Sequence, residues 1–422
     1  MAAAAGDRTT NRTVTAMESG SKARELRAAR ALLPEVIDWL CRSPPAPLAA
    51  RLADLSQRRG PDLRSLLTNQ GLAPLVAALL EEQAGPGPSK SAPPANASEL
   101  VPTQPLLQSA TADWLRLQLE QNRVRMAAFA GDLGLILETA AAAGLRLMPL
   151  KGSVLSDRYY REPALRPMAD IDLLVSPDDE KGLHEILVRL GYRLLSETEA
   201  RHRSYRRPGD SVVSYDGTHP GNPRPVEVHT VLRRSVWLDR GGVDFAPLMW
   251  AAGLESLLHG QAVMLPSAEA LLLDVAAHAT SHLMRGSGML LQLVDLRRIA
   301  VTARTIPDTH AEWTYPALAL TARVFPDAIE ASELGRLAQR VAPSLRRLTD
   351  SLPLDDRAGL NLRGVNPNGF GSWGIRWQRW KANPWLVCLA NPALPPVLAY
   401  PAYLGGVGAR AARRLTRPSA RG

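Results

Sequence analysis

Apolar positions recur at helical spacing along most of the chain and change to short strand-like runs in one central segment. From Lys22 to Gln83 the stretches ELRAARALLPEVIDWL and GLAPLVAALLEE carry the helical period, with breaks at Pro34 and Pro44-Pro45. A long helix is predicted from Thr111 to about Gly144, with Trp114, Leu117, Val124, Phe129, Leu133 and Ile136 among its apolar positions. The pattern then switches. Leu145–Leu150 and Asp170–Val175 are apolar runs of strand length, and Tyr192–Leu195, Ser211–Tyr215 and Pro225–Thr230 are further predicted strands. Ser176-Pro177-Asp178-Asp179 predicts a helix start, with Ser176 as N-cap and Pro177 at the first helical position. That helix places Leu183, Ile186, Leu187 and Leu190 at core spacing and stops at Gly191. Arg201 to Arg207, RHRSYRR, reads as a basic loop. Helical patterning returns from Ser267 to Arg304 and from Glu312 to Val341, with interruptions predicted at Pro316 and Pro326.

These elements predict an α/β (α+β) fold, a mixed-sheet core flanked by helical regions. Residues 1–21 are small, polar and without period, and are predicted disordered; 22–84 form a helical N-terminal region. Residues 85–108, rich in Pro, Gly and Ser, form a linker. The core spans 109–232, a helical C-terminal domain 233–356 and a basic, Trp-rich tail 357–422.

Composition alters this picture at one end only. The net charge is +9, yet Arg357 to Gly422 holds ten basic residues and no acidic one, so the excess belongs to the tail. Trp373, Trp377 and Trp380 fall on one helical face there, interleaved with Arg376, Arg379 and Lys381. Such a stripe can lie on an anionic membrane surface, stack on nucleic-acid bases or dock onto its own protein. Prolines at 384 and between 392 and 401 argue against a spanning helix in the uncharged stretch Trp385–Gly408. Cys41 and Cys388 are the only cysteines, which excludes a disulfide framework or a Cys-x-x-Cys metal site and fits a reducing compartment. The first residues lack a basic stretch followed by an apolar one, so the cytoplasm is the expected location. P-loop, dinucleotide-fold and Gly-x-Ser-x-Gly motifs are absent.

The candidate chemistry lies between Met148 and Thr230. Alternation along a strand puts Asp170 and Asp172 on one face, with Ile171 and Leu173 facing the core. Two like charges held together at a sheet edge repel and lose hydration, a cost that a bound cation relieves, and paired oxygens suit Mg²⁺. Val226-Glu227-Val228-His229 repeats the alternation with Glu227 and His229 sharing a face. Gly152 lets backbone approach a ligand closely because it has no Cβ. His278 and His282 are four apart but Ala279 stands where a zincin needs Glu, leaving them as packed histidines or cleft-lining groups.

A strand, a Gly-Ser turn, a helix, a strand bearing Asp-x-Asp and a later strand with a third carboxylate together resemble the nucleotidyltransferase fold of the DNA polymerase β superfamily. Leu150-Lys151-Gly152, Arg166-Pro167 before DIDLLV, Gly191-Tyr192 and Glu227-Val228-His229 resemble one mostly uncharacterised bacterial family within it. The match is closest from Met148 to Thr230 and looser from Gly71 to Ala300. Ala169 departs from the usual Ser or Gly, and Glu227 from the usual Asp. The resemblance implies a Mg²⁺- or Mn²⁺-dependent enzyme moving a nucleoside monophosphate from an NTP such as ATP to an acceptor hydroxyl. It implies Asp170, Asp172 and Glu227 as catalytic metal ligands. Lys151, Gly152, Ser153 and Arg166 would contact the nucleotide, with His229 supporting Glu227. A catalytically degenerate nucleotide-binding protein and an interaction protein working through its tail are the alternatives. The acceptor stays open among small molecule, RNA end and protein.

Overall fold

In the computed structural model the described residues are 31–37, 48–84, 110–197, 202–214, 216–234, 243–284, 289–351 and 401. The expectations for residues 1–21, for the linker and for the tail with its Trp stripe lie outside them.

Five short strands build the central sheet: β1 (Leu147–Pro149), β2 (Ile171–Val175), β3 (Arg193–Glu197), β4 (His202–Arg206) and β5 (Val226–His229). Their order is β1-β2-β5-β4-β3. β1 runs antiparallel to β2, while β2 and β5 pair in parallel with Asp172 opposite Glu227. β4 lies antiparallel to both β5 and β3. With twelve helices among the described residues, this is a mixed α/β architecture.

Helix α1 (Leu33–Ile37) precedes α2 (Leu48–Asn69), which bends at Arg59, two residues before Pro61 removes a backbone donor. Helix α3 (Ala73–Ala84) packs on α4 (Ala110–Ala142). Phe129, Leu133 and Ile136 of α4 join Ile171 and Leu173 of β2 in one buried core. Short α5 (Gly152–Arg158) follows β1, and α6 (Glu180–Arg189) follows β2. The predicted start at Ser176 is a capped turn instead: Ser176 Oγ accepts from the Asp179 N–H at 3.1 Å, and the helix begins at Glu180.

Three further expectations are corrected. RHRSYRR is not a loop; residues 202–206 form β4. On one face of the strand Arg203 reaches Glu180 and Glu197, and Tyr205 Oη lies 3.0 Å from His184 Nδ1. Residues 211–214 form no strand; Asn222 Oδ1 accepts from the N–H groups of Val213 and Ser214. The region expected to be helical from 233 begins with β6 (Arg233–Arg234), β7 (Val243–Asp244), helix α7 (Ala246–Ala251) and a hairpin of β8 (Gly253–Leu258) and β9 (Gln261–Pro266). His259 and Gly260 make the two-residue hairpin turn, both with positive φ (50° and 79°), which matches the twist of the paired strands.

Helices α8 (Ala268–Met284), α9 (Leu290–Thr302), α10 (Ala311–Val324), α11 (Ala331–Gln339) and α12 (Pro343–Ser351) complete the described chain. Pro316 does not interrupt α10, which runs through it. Gln70 Oε1 accepts from the Leu290 N–H at 2.7 Å, tying the end of α2 to α9. No helix among the described residues is long and apolar enough to cross a membrane.

Candidate active site

Strand register gathers the polar residues. On β5, Val226 and Val228 are buried in the core, and Glu227 and His229 alternate with them onto the other face. On β4, Arg203 and Tyr205 engage α6, so His202, Ser204 and Arg206 take the opposite face. The pairing then sets Asp172 and Ser204 on either side of Glu227, and His202 against His229.

Asp172 is 4 % exposed. Lys151 Nζ donates to its Oδ1 at 2.7 Å, and His229 Nε2 lies 2.9 Å from the same oxygen. Burial alone would raise this carboxyl. The Lys151 ammonium and the His229 bond outweigh burial and hold it well below the usual carboxylate range. The Asp172 charge, which the strand alternation suggested a cation would relieve, is paired within the chain with Lys151. Both contacts fall on Oδ1, leaving Oδ2 uncommitted among the described residues. Asp170 lies just ahead of β2 rather than in it, is partly buried, and faces the positive fields of Arg125 and Arg166.

Lys151 holds φ 42° and ψ −117°, a backbone conformation that favours glycine. The next residue is Gly152, where a Cβ would come within 2.8 Å of Arg166 Nη1 and 3.1 Å of Met168 Cγ. Ser153 is buried; its N–H donates to the Leu150 carbonyl at 3.1 Å, and its Oγ has no hydrogen-bond partner. Arg166, expected on phosphate, pairs with Asp295 while its Nη1 lies beside Gly152. Its Nε and Nη2 donate to Asp295 Oδ1 and Oδ2 at 3.0 and 2.8 Å, and Tyr160 Oη donates to the same Oδ1 at 2.8 Å.

His202 was not legible as a site residue. Its Nε2 lies 3.0 Å from Glu227 Oε2, and that carboxylate raises its pKa. Its ring stacks on His229 with centroids 4.7 Å apart and planes 5° from parallel. Burial lowers the pKa of His229, against the pull of Asp172. His202, Glu227 and His229 bring their ligand atoms within 4.8 Å of one another, close enough to share a metal ion. The carboxylate oxygens of Asp172 and Glu227 are hard donors of the kind a divalent cation takes, and the Lys151 ammonium on Asp172 is the positive charge such a cation would have to displace. His278 and His282, with ring centroids 4.4 Å apart on α8, do not join this group.

A sequence-family profile described as an uncharacterised nucleotidyltransferase matches residues 59–312. The chain belongs to that family and is a nucleotidyltransferase by that membership. No curated protein matches it. Among solved structures, the antibiotic-resistance factor ANT(2'')-Ia overlaps 47 % of this chain and 94 % of its own, at 16 % identity and a TM-score of 0.31. An antigenic nucleotidyltransferase-like protein from Paracoccidioides brasiliensis overlaps 51 % and 93 %, at 18 % identity and a TM-score of 0.32. Both overlaps are loose.

Proposed function

We propose that the chain transfers a nucleoside monophosphate from an NTP to an acceptor hydroxyl in a divalent-cation-dependent reaction. The acceptor oxygen forms a bond to the α-phosphorus, the bond to the leaving pyrophosphate breaks, and the acceptor's proton is released. The observation that carries this reading is the parallel register setting Asp172 directly opposite Glu227, with Oδ2 of Asp172 uncommitted.

In this reading Asp170, Asp172 and Glu227 would hold Mg²⁺ or Mn²⁺. When bound, the cation acidifies the acceptor hydroxyl and offsets charge building on the phosphoryl group. Lys151 pairs with Asp172, and its flexible four-carbon stem would let the ammonium reach a phosphate of bound nucleotide. Gly152 keeps the approach open, and Ser153 Oγ is a donor left for the ligand. His229 positions Asp172, and His202 positions Glu227.

The test is turnover of each of the four labelled NTPs by the full chain with Mg²⁺ or Mn²⁺, read as pyrophosphate release and labelled product. The proposal expects release that EDTA abolishes. Tight metal-dependent NTP binding without release would assign the site to a degenerate, nucleotide-sensing protein.

A further inference from the structure

The face that carries Glu227 continues past the carboxylates toward the entering ends of β2 and β5. On β4, Ser204 pairs with Glu227, so Arg206, two residues on, stands one step further along the same face. A cavity of about 1030 Å³ opens at that point. Its near wall is Arg206, Ala169 just ahead of Asp170, and Pro225 just ahead of β5. Its other walls include Arg64 of α2 and Trp114 of α4. Ala169 and Pro225 are one and two residues from Asp170 and Glu227, so the cavity borders the segments that carry the carboxylates.

The lining charge is lopsided. Arg125 lines it too, but is fixed as wall: it donates to the carbonyls of Asn222 and Pro223 at 2.7 and 2.9 Å, and burial pushes its pKa down to about 10. The acidic side chain in the lining, Asp216, accepts from Gln118 Nε2 at 3.4 Å. Among the described residues no carboxylate reaches Arg64 or Arg206, and Arg206 Nε is buried without a hydrogen-bond partner. A guanidinium donor left buried and unmade is unfavourable until a ligand supplies the acceptor. Half-buried Trp114 offers a flat apolar surface in the same space. The volume is that of a small-molecule pocket, on the order of 1,000 Å³, rather than a groove that tracks a polynucleotide.

We propose that this cavity is the acceptor site, and that the acceptor is a small organic anion: a ring bearing a carboxylate or phosphate. Arg206 and Arg64 take the anionic group, Trp114 packs on the ring, and a hydroxyl faces Glu227. The inference rests on the transferase reading, which supplies the chemistry at Glu227.

The test is isothermal titration of the full-length protein in EDTA, where no divalent cation can hold an NTP on the carboxylates. The probes are 5'-AMP as the phosphate source, 4-hydroxybenzoate as the carboxylate source, and a short single-stranded RNA. One of the two small anions is expected to bind with a Kd below about 1 mM, and Arg206→Ala or Arg64→Ala to weaken it about tenfold. Arg206→Lys, which keeps the charge but not the fork, is expected to lie between. Thermal melts identify a variant that has merely unfolded, and the remaining arginine variant then carries the test. Failure of both small anions to bind, wild-type binding by the folded arginine variants, or RNA binding tighter than both would overturn the proposal. NTP turnover without probe binding would leave the transferase reading standing and remove this one; probe binding without turnover would do the reverse.

Discussion

Two buried cation–carboxylate pairs stand near the start of α5, and they are built for different ends. Arg166 and Asp295 meet through two parallel bonds, with Tyr160 on the same carboxylate and Asp295 1 % exposed. Arg298 covers the Tyr160 ring, its guanidinium carbon 4.3 Å from the centroid. Lys151 and Asp172 meet through a single bond to one oxygen, and the other oxygen stays open. A planar fork is pre-organised and must break several bonds to move, so Arg166 is held to Asp295 of α9 more firmly than Lys151 is held to Asp172. A point charge on a flexible stem loses little by exchanging one oxygen for another, so Lys151 suits a site whose charge changes during turnover.

The sharpest test of that difference is Asp172→Asn. Transfer should fall about 1,000-fold or more, equivalent to ~4 kcal/mol of transition-state stabilisation. On sequence alone the two aspartates repel, and removing one should stabilise the metal-free protein. The structure reverses that sign, because the variant strands the Lys151 ammonium in a buried site; a loss on the order of 3–5 kcal/mol is expected in urea denaturation. Near-wild-type turnover would remove Asp172 from the machinery.

Breaking the other pair should act on stability alone. Arg166→Met or Asp295→Leu should each cost roughly 3–5 kcal/mol, and the double replacement should recover most of it, because no unpaired charge remains. Turnover per folded molecule should stay close to wild type in the double variant. A large drop there would place Arg166 in the chemistry after all.

Lys151→Ala should raise KM for the NTP about tenfold, with a smaller change in kcat. Unchanged KM together with a large loss of stability would mean that Lys151 is architecture like Arg166.

The smallest effect is a pH dependence. Glu227 raises the pKa of His202, so their pairing stabilises the fold fully below the unfolded histidine value near ~6.5 and is lost as pH rises through the raised folded value. Asp172 works in the opposite direction. Its depressed pKa contributes stability above an unfolded value of about 3.9, which is lost as pH falls through the folded one. Thermal melts of His202→Gln between neutral and alkaline pH should show a flatter slope than wild type. Parallel slopes would dissolve the His202–Glu227 assignment.

Alternation made Asp172, Glu227 and His229 legible, since Asp172 and Glu227 each stand between apolar residues and His229 continues the period after Val228. His202 was hidden because β4 has charged or hydroxylated side chains on both faces, and its core-facing partners, Glu180 and His184, lie on α6. The Arg166–Asp295 pair was hidden by distance, 129 residues along the chain, with Asp295 inside a helix whose residues 290–296 are all buried. The hairpin at Gly253–Pro266 was missed because Glu255 and the apolar runs around it mix strand and helix periods, and its turn is His-Gly rather than Asn-Gly.

The parallel register of β2 and β5 also bears on how the protein folds. Asp172 and His229 are 57 residues apart and meet only after α6, β3 and β4 have been placed between them. Closing so long a loop onto a parallel pairing is intrinsically slow compared with helix formation. A slip of one residue would present Val226 and Val228 where Glu227 and His229 belong, in a sheet of otherwise similar outline. Recovery of nucleotide and metal binding during refolding should therefore trail the return of helical signal. Competence to react then certifies a correctly registered sheet, which helix content cannot do.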